Sequence, residues 1–268
     1  LAELEKAQGN YSAAAELYQQ VLAIDAKVTR ADAPVVATHL GNLGGAYQNM
    51  GRHADAEQAY ARGLAIAEKA YGPDALETAR FLSNLGQQKY HLRKYAEAED
   101  LLKRALAVRQ AKLPADHPDL ATVMNNLGEV YRAEGKLPQA EEFYTRALQI
   151  RESKLGKDHL EVAATLNNFG LLLTARERYL EAEQAFLRAL TIMEKNLGKD
   201  NAGIAAVLEN MGALYRKMDE PAKAALCEQR SRRLRGVQDA QPGAPSAQPA
   251  PSATSAVTNL PASPGIVM

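Results

Sequence analysis

The pair asparagine–x–glycine recurs at Asn42 and Gly44, Asn84 and Gly86, Asn126 and Gly128, Asn168 and Gly170, and Asn210 and Gly212, and every step is 42 residues. A second set keeps the same period at Ala14, Ala56, Ala98, Ala140, Ala182 and Ala224, and a third at Ala37, Ala79, Ala121, Ala163 and Ala205. An aromatic residue or leucine follows it too, at Tyr18, Tyr60, Leu102, Tyr144 and Phe186. Independent positions held in register over five or six copies define a repeat architecture, in which each unit buries its apolar face only by stacking on its neighbours. A chain of this length therefore reads as one elongated array and needs no division into compact domains.

Each copy reads as two helices. Val123, Leu127, Val130 and Tyr131 stand at helical spacing within 120–134, and Ala140, Tyr144, Ala147, Leu148 and Ile150 do so within 137–153. Gly135 falls between them, as Gly9 and Gly51 do in their copies, where a helix ends in a left-handed residue. Pro138 and Pro221 sit in the first turn of a second helix, where a missing N–H does no harm. Segments such as LGKDHLE from Leu155, and the phase shared by Pro34 and Pro118, read as loops into the next first helix. A glycine in mid-helix costs about 1 kcal/mol relative to alanine. Its presence in all five complete copies implies close helix–helix approach, with the alanines and the aromatic position completing the contact.

Leu127, Gly128, Tyr131, Ala140, Tyr144 and Ala147 carry the identities and spacing of the tetratricopeptide repeat, and the chain resembles that family over residues 1 to 235. The long unit with its LGKDH-like connector is similar to the 42-residue kinesin-light-chain type. The resemblance implies an all-α, right-handed superhelical solenoid of helix-turn-helix repeats: a truncated first repeat, five further helix pairs, and a last helix acting as a cap. Lys89 and Leu173 depart from the pattern at the first-helix tyrosine, and Gly63 and Ser231 at the second-helix alanine. Leu1 has the phase of Leu43, which reads as a chain opening inside a first helix. The segment Cys227 to Arg235 is polar and basic where earlier copies are apolar, as a cap requires. From Gly236 to Met268 alanine, proline and serine dominate, which reads as a disordered tail.

Packing explains the glycine and leaves the asparagine unexplained. Residues Thr122, Asn126, Glu129 and Ala133 form one stripe of a first helix; the equivalent stripes are Thr38, Asn42, Gly45, Asn49, then Arg80, Asn84, Gln87, His91, and Ala206, Asn210, Ala213, Lys217. In the resembling family this stripe lines the concave groove, and matching asparagines contact bound peptide backbone. An amide both donates and accepts, so Asn42, Asn84, Asn126, Asn168 and Asn210 form a ladder suited to an extended peptide of any side-chain sequence. Gln87 lies on the stripe, and Arg80, His91, Arg132, Arg216 and Lys217 lie on or beside it against the one acid Glu129, which suits a mildly acidic ligand. The alternative is that each asparagine bonds to the adjacent repeat and sets the stacking angle. Asn125 and Asn167 face another way and read as inter-helix contacts or solvated groups. Repeat domains that clamp a C-terminal carboxylate use a basic residue four before the asparagine; only Arg80 with Asn84 approximates this, against Thr38, Thr122, Ala164 and Ala206 elsewhere.

The reading is a non-enzymatic scaffold for a protein or peptide partner, without cofactor. Its rivals are a regulatory or self-association module of a larger signalling protein or enzyme, and an array whose groove is filled by its own tail. The 32 basic and 32 acidic side chains cancel, giving no global field for nucleic acid. No long apolar run predicts a membrane span. The single cysteine, Cys227, excludes internal disulfides and leaves the compartment undecided, with the cytoplasm slightly favoured. Nearby arginines could lower its thiol pKa, yet it reads as incidental to the cap. His117 and His159 share the connector phase, while His39, His53 and His91 read as lying on different faces, with no metal spacing. GNLGG from Gly41 lacks the Lys-Ser/Thr of a phosphate loop. The basic segment Arg230 to Arg235 reads as a solvated helix end.

Overall fold

A computed structural model describes residues 1–236, and the tail reading lies outside the described residues from 237 on. Twelve α-helices run in pairs among the described residues: α1 Ala2–Ala7 and α2 Tyr11–Val28, α3 Pro34–Asn49 and α4 His53–Tyr71, α5 Leu76–His91 and α6 Tyr95–Lys112, α7 Pro118–Ala133 and α8 Leu137–Leu155, α9 Leu160–Ala175 and α10 Tyr179–Leu197, α11 Ala205–Lys217 and α12 Pro221–Leu234. No strand occurs among them. The chain forms two units, Leu1–Phe143 and the part from Tyr144 onward, dividing inside α8. In the first, each helix from α1 to α7 packs on the next in sequence; in the second, α9 to α12 do the same. The fold is an all-α repeat solenoid.

The helices of a pair meet at the glycine. A Cβ placed on Gly44 would lie 2.7 Å from the ring of Tyr60, one on Gly86 2.8 Å from Leu102, and one on Gly170 2.6 Å from Phe186. Those distances are too short for any real side chain, so the aromatic or leucine of the second helix takes the volume the glycine leaves. In the last pair the partner position is Glu228, and the same Cβ would stand at 3.3 Å. Ala14, Ala56, Ala98, Ala182 and Ala224 are buried beside this contact. Gly63, a departure from the repeat pattern, has a purpose: it faces the Phe81 ring across α4 and α5, and a Cβ there would collide with it.

Turns between paired helices require positive φ, and Gly9 (82°), Gly51 (70°) and Gly135 (77°) supply it. At the same phase the other copies carry Arg93 (59°), Glu177 (60°) and Asp219 (59°), which adopt the left-handed region with a Cβ present. Pro34 and Pro118 lie one step further along than the loop expected for them. They are the first residues of α3 and α7, at the phase of Leu76 and Leu160, where the helix needs no N–H. His117 and His159 cap the starts of α7 and α9: each Nδ1 accepts from a backbone N–H two residues on, Asp119 at 3.1 Å and Glu161 at 3.2 Å. Asn201 does the same to Gly203 at 2.8 Å.

Successive pairs are latched by one acidic position of the second helix. Glu57 receives the Lys89 ammonium at 2.6 Å and Lys94 at 3.1 Å; Glu99 receives the Tyr131 hydroxyl at 3.1 Å and Lys136 at 2.8 Å; Glu183 receives the Tyr215 hydroxyl at 2.8 Å. Lys89 thus replaces the repeat tyrosine without loss of the bond, whereas Leu173 at that phase is simply buried. Burial alone would raise the Glu99 carboxyl, but hydrogen bonds from Lys103, Lys136 and Tyr131 hold it at about 2. In the last pair, Ser231 donates to Glu209 at 2.9 Å, and the basic segment folds back on acidic groups: Arg230 on Glu194 at 2.6 Å, Arg233 on Asp200 at 3.5 Å, Arg235 on Glu209 at 2.8 Å. These arginines are ion-paired cap residues.

Two outcomes follow from these contacts. Replacing Arg93 by glycine removes the left-handed penalty and raises unfolding free energy by up to about 1 kcal/mol in urea titration, even after the entropy that glycine adds to the unfolded chain. The folded Glu99 carboxyl at about 2 lies below its ordinary 4.5, so the stability it contributes is whole above pH 4.5 and is lost as the pH falls toward 2. Glu99→Gln should flatten the acid side of the urea-midpoint profile in that window.

Candidate functional site

Within the first unit the stripe residues come from α3, α5 and α7. Asn42 is not free: its Nδ2 donates to Glu3 Oε1 at 2.8 Å. Asn49 donates to the Gly45 carbonyl of its own helix at 2.8 Å. Asn84 and Asn126 differ, because neither amide has a hydrogen-bond partner among the described residues. Asn126 is only 8% exposed, yet its amide is not among the polar atoms sealed from solvent without a partner. Its stem is packed and its tip is open.

In the second unit the ladder is internal. Asn210 Nδ2 donates to Asn167 Oδ1 at 2.9 Å, joining α11 to α9. Asn167 and Asn125 are therefore buried residues, and for Asn167 the inter-helix role is the one found. Asn168 is 6% exposed and has an interaction of its own. Lys217 is exposed at the far end of that stripe.

The flanking groups of the first unit are set by their neighbours. Arg80 is exposed, its guanidinium 4.7 Å from the centroid of the Phe81 ring. Behind it Arg109 is buried and donates to the Asp119 carbonyl at 2.8 Å; burial lowers its pKa, the Asp119 carboxylate raises it, and repulsion from Arg80 lowers it further. Glu129 is buried, and Arg132 is half-buried beside Tyr90, which it hydrogen-bonds. Burial first, and the Glu129 charge second, push the Tyr90 phenol up to about 12.

Gln87 and His91 belong to a network that periodicity did not suggest. His53 and His91 do not lie on different faces: their rings stack with centroids 4.3 Å apart, because the start of α4 packs on the end of α5. From His53 Nδ1 the chain of bonds runs to Gln88 Oε1 (3.0 Å), from Gln88 Nε2 to Gln48 Oε1 (2.8 Å), and from Gln48 Nε2 to Gln87 Oε1 (3.1 Å). The Tyr60 hydroxyl joins at Gln48 Oε1, 3.2 Å away. Gln88 offered a legible signal, since it stands at the phase of Ala46, Val130, Leu172 and Leu214, all fully buried. Burial, then the neighbouring His53, lowers the His91 imidazole from 6.5 to about 4.

Cys227 is half-buried, and burial raises its thiol pKa against the pull of Arg230, the reverse of the activation its arginine neighbours suggested. No group of three histidine, cysteine, aspartate or glutamate side chains is placed to hold a metal ion among the described residues. No described helix is long and apolar enough to cross a membrane.

The tetratricopeptide repeat model matches residues 35–111, 77–153, 119–195 and 161–235, and a second model of that repeat matches residues 1–31. The chain belongs to the tetratricopeptide repeat family. No curated protein matches it. Among solved structures, BtubC (BKLC) from P. vanneervenii is 22% identical with a TM-score of 0.63, the match covering 93% of this chain and 97% of that one. A putative kinesin light chain with nearly identical TPR-like repeats from Podosopora anserina is 24% identical with a TM-score of 0.59, covering 74% and 93%. The apo form of RapI is 14% identical with a TM-score of 0.66, covering 88% and 95%. These likenesses establish the fold.

The unfolded His91 binds a proton near its ordinary 6.5, while the folded ring resists until about 4, so the stability tied to the neutral ring is whole above 6.5 and declines as the pH drops. His91→Gln should shrink the difference between urea midpoints at pH 7 and pH 5.

Proposed function

We propose that the chain is a non-enzymatic protein-interaction scaffold that holds an extended segment of a partner along the first helices of its repeats. In this reading Asn84 and Asn126 take the partner's backbone. The observation that carries it is the division of the ladder: Asn42 and Asn210 use their amides inside the fold, whereas those of Asn84 and Asn126 have no partner among the described residues. An amide that the fold leaves unbonded, with its tip open, can exchange water for a peptide group without first breaking a bond inside the chain. Two amides on adjacent first helices can each give and take one bond with a peptide group, which holds backbone without reading side chains.

Selectivity then falls to the flanks. Arg80, exposed and stacked on Phe81, suits a carboxylate on the ligand, and Gln87 and His91 line the same stripe. Glu129 and Arg132 act from behind through Tyr90. Lys217, on the second unit, adds a cation to its stripe. Asn168 remains a ladder member in this proposal, and Asn42 and Asn210 contribute to stability. Membership of a family of interaction repeats supports the scaffold reading.

The test is selection of a random displayed dodecapeptide library on the full chain, followed by anisotropy titration of an enriched peptide. Asn84→Ala with Asn126→Ala should weaken it at least about tenfold, the equivalent of about 1.4 kcal/mol. Asn210→Ala should lower stability and leave affinity within about twofold. Failure of any peptide to enrich, or equal affinity for the double variant, would overturn the proposal.

A further inference from the structure

Asn210 finds its partner 43 residues upstream, at Asn167 on the preceding first helix. The same step from Asn126 reaches Ser83, and from Asn84 it reaches Gly41. Neither residue carries an amide. Ser83 is 5% exposed, and its Oγ is buried with no hydrogen-bond partner. The α5–α7 junction therefore holds a buried Ser83 hydroxyl without a hydrogen bond and an open-tipped Asn126 amide without a partner among the described residues, at the two repeat positions that bond to each other across α9 and α11.

We propose that residue 83 and its equivalents decide whether the asparagine of the next repeat is locked into the fold or left open to a ligand, and that Ser83 makes the α5–α7 step a backbone-binding step. The inference rests on the scaffold reading above and deepens it, by naming a determinant that need not touch the ligand.

A serine hydroxyl is one bond shorter in reach than an asparagine amide and cannot present the carbonyl that Asn167 offers to Asn210. Asn126 thus keeps both its donors and its acceptor for an incoming peptide group. At Gly41 there is no side chain at all, and the space a Cβ would use is already approached by Arg80 Nη1 and the Phe81 ring at 3.3 Å, so Asn84 is left open in the same way and for a steric reason. First helices of neighbouring repeats stand about 8–10 Å apart. An extended chain advances about 3.3 Å per residue. Asn84 and Asn126 consequently address peptide groups about three residues apart, which makes the ligand a short extended stretch of backbone carrying both N–H and C=O groups.

The decisive variant is Ser83→Asn. The site can hold the larger side chain, because Asn125 and Asn167 occupy the same phase buried in helices of the same register. Two measurements on the full chain are needed: side-chain amide exchange of Asn126 by 15N NMR, and anisotropy of the dodecapeptide enriched on the wild-type chain. The expected result is slowed exchange at Asn126, unchanged or higher stability, and affinity lowered at least about tenfold without removal of a proposed ligand contact. Slowed exchange with undiminished affinity, or unchanged Asn126 exchange in a folded variant, would overturn the inference. Asn126→Ala separates the two ideas: affinity lost there but kept in Ser83→Asn sinks the role of residue 83 alone, and affinity kept in Asn126→Ala sinks the scaffold site itself. Ser83→Ala, which removes the hydroxyl without adding an amide, should bind as the wild type does; a loss there would also count against the inference.

Discussion

Everything in this chain depends on how closely two antiparallel helices can approach. A hydrogen in place of a side chain at Gly44, Gly86 and Gly170 lets Tyr60, Leu102 and Phe186 lie across the opposite backbone. That approach fixes which face of each helix is spent inside the pair, and so which face is left for the next pair and which for solvent. The Gly63 and Phe81 exchange shows the same rule working between pairs, with volume removed from one helix and returned on its neighbour.

Once the apolar contacts are fixed, the polar ones determine what each face can do. The acidic latch at Glu57, Glu99 and Glu183 tolerates either a tyrosine hydroxyl or a lysine ammonium, because a carboxylate accepts from both. The asparagine phase is less uniform than its sequence. The same residue type is bonded within the fold at Asn210 and unbonded at Asn126, and the difference lies in what stands 43 residues earlier.

The repeat, the pairing of helices and the role of glycine were legible in the sequence because they are periodic, and periodicity survives without coordinates. Strained turns at Arg93, Glu177 and Asp219 were hidden for the opposite reason: they break a glycine pattern that the other copies keep. Capping by His117 and His159 was missed since histidine is an uncommon N-cap, and the loop reading of Pro34 and Pro118 erred by one residue of phase. For the candidate site, the sequence supplied the stripe and its members. It could not tell an open amide from a bonded one, as that depends on reach between helices, nor bring His53 onto His91 across two elements.

The relay from His53 through Gln88 and Gln48 to Gln87 has a direction. Gln88 and Gln48 each give from the nitrogen and take at the oxygen, so neither can turn end over end unless the other turns with it. Gln87 is the last member, and its oxygen is already taken by Gln48. With that bond in place its two N–H groups are the donors on which the relay ends, so beside Asn84 the stripe offers a carbonyl a pair of N–H groups whose orientation is held from as far away as His53.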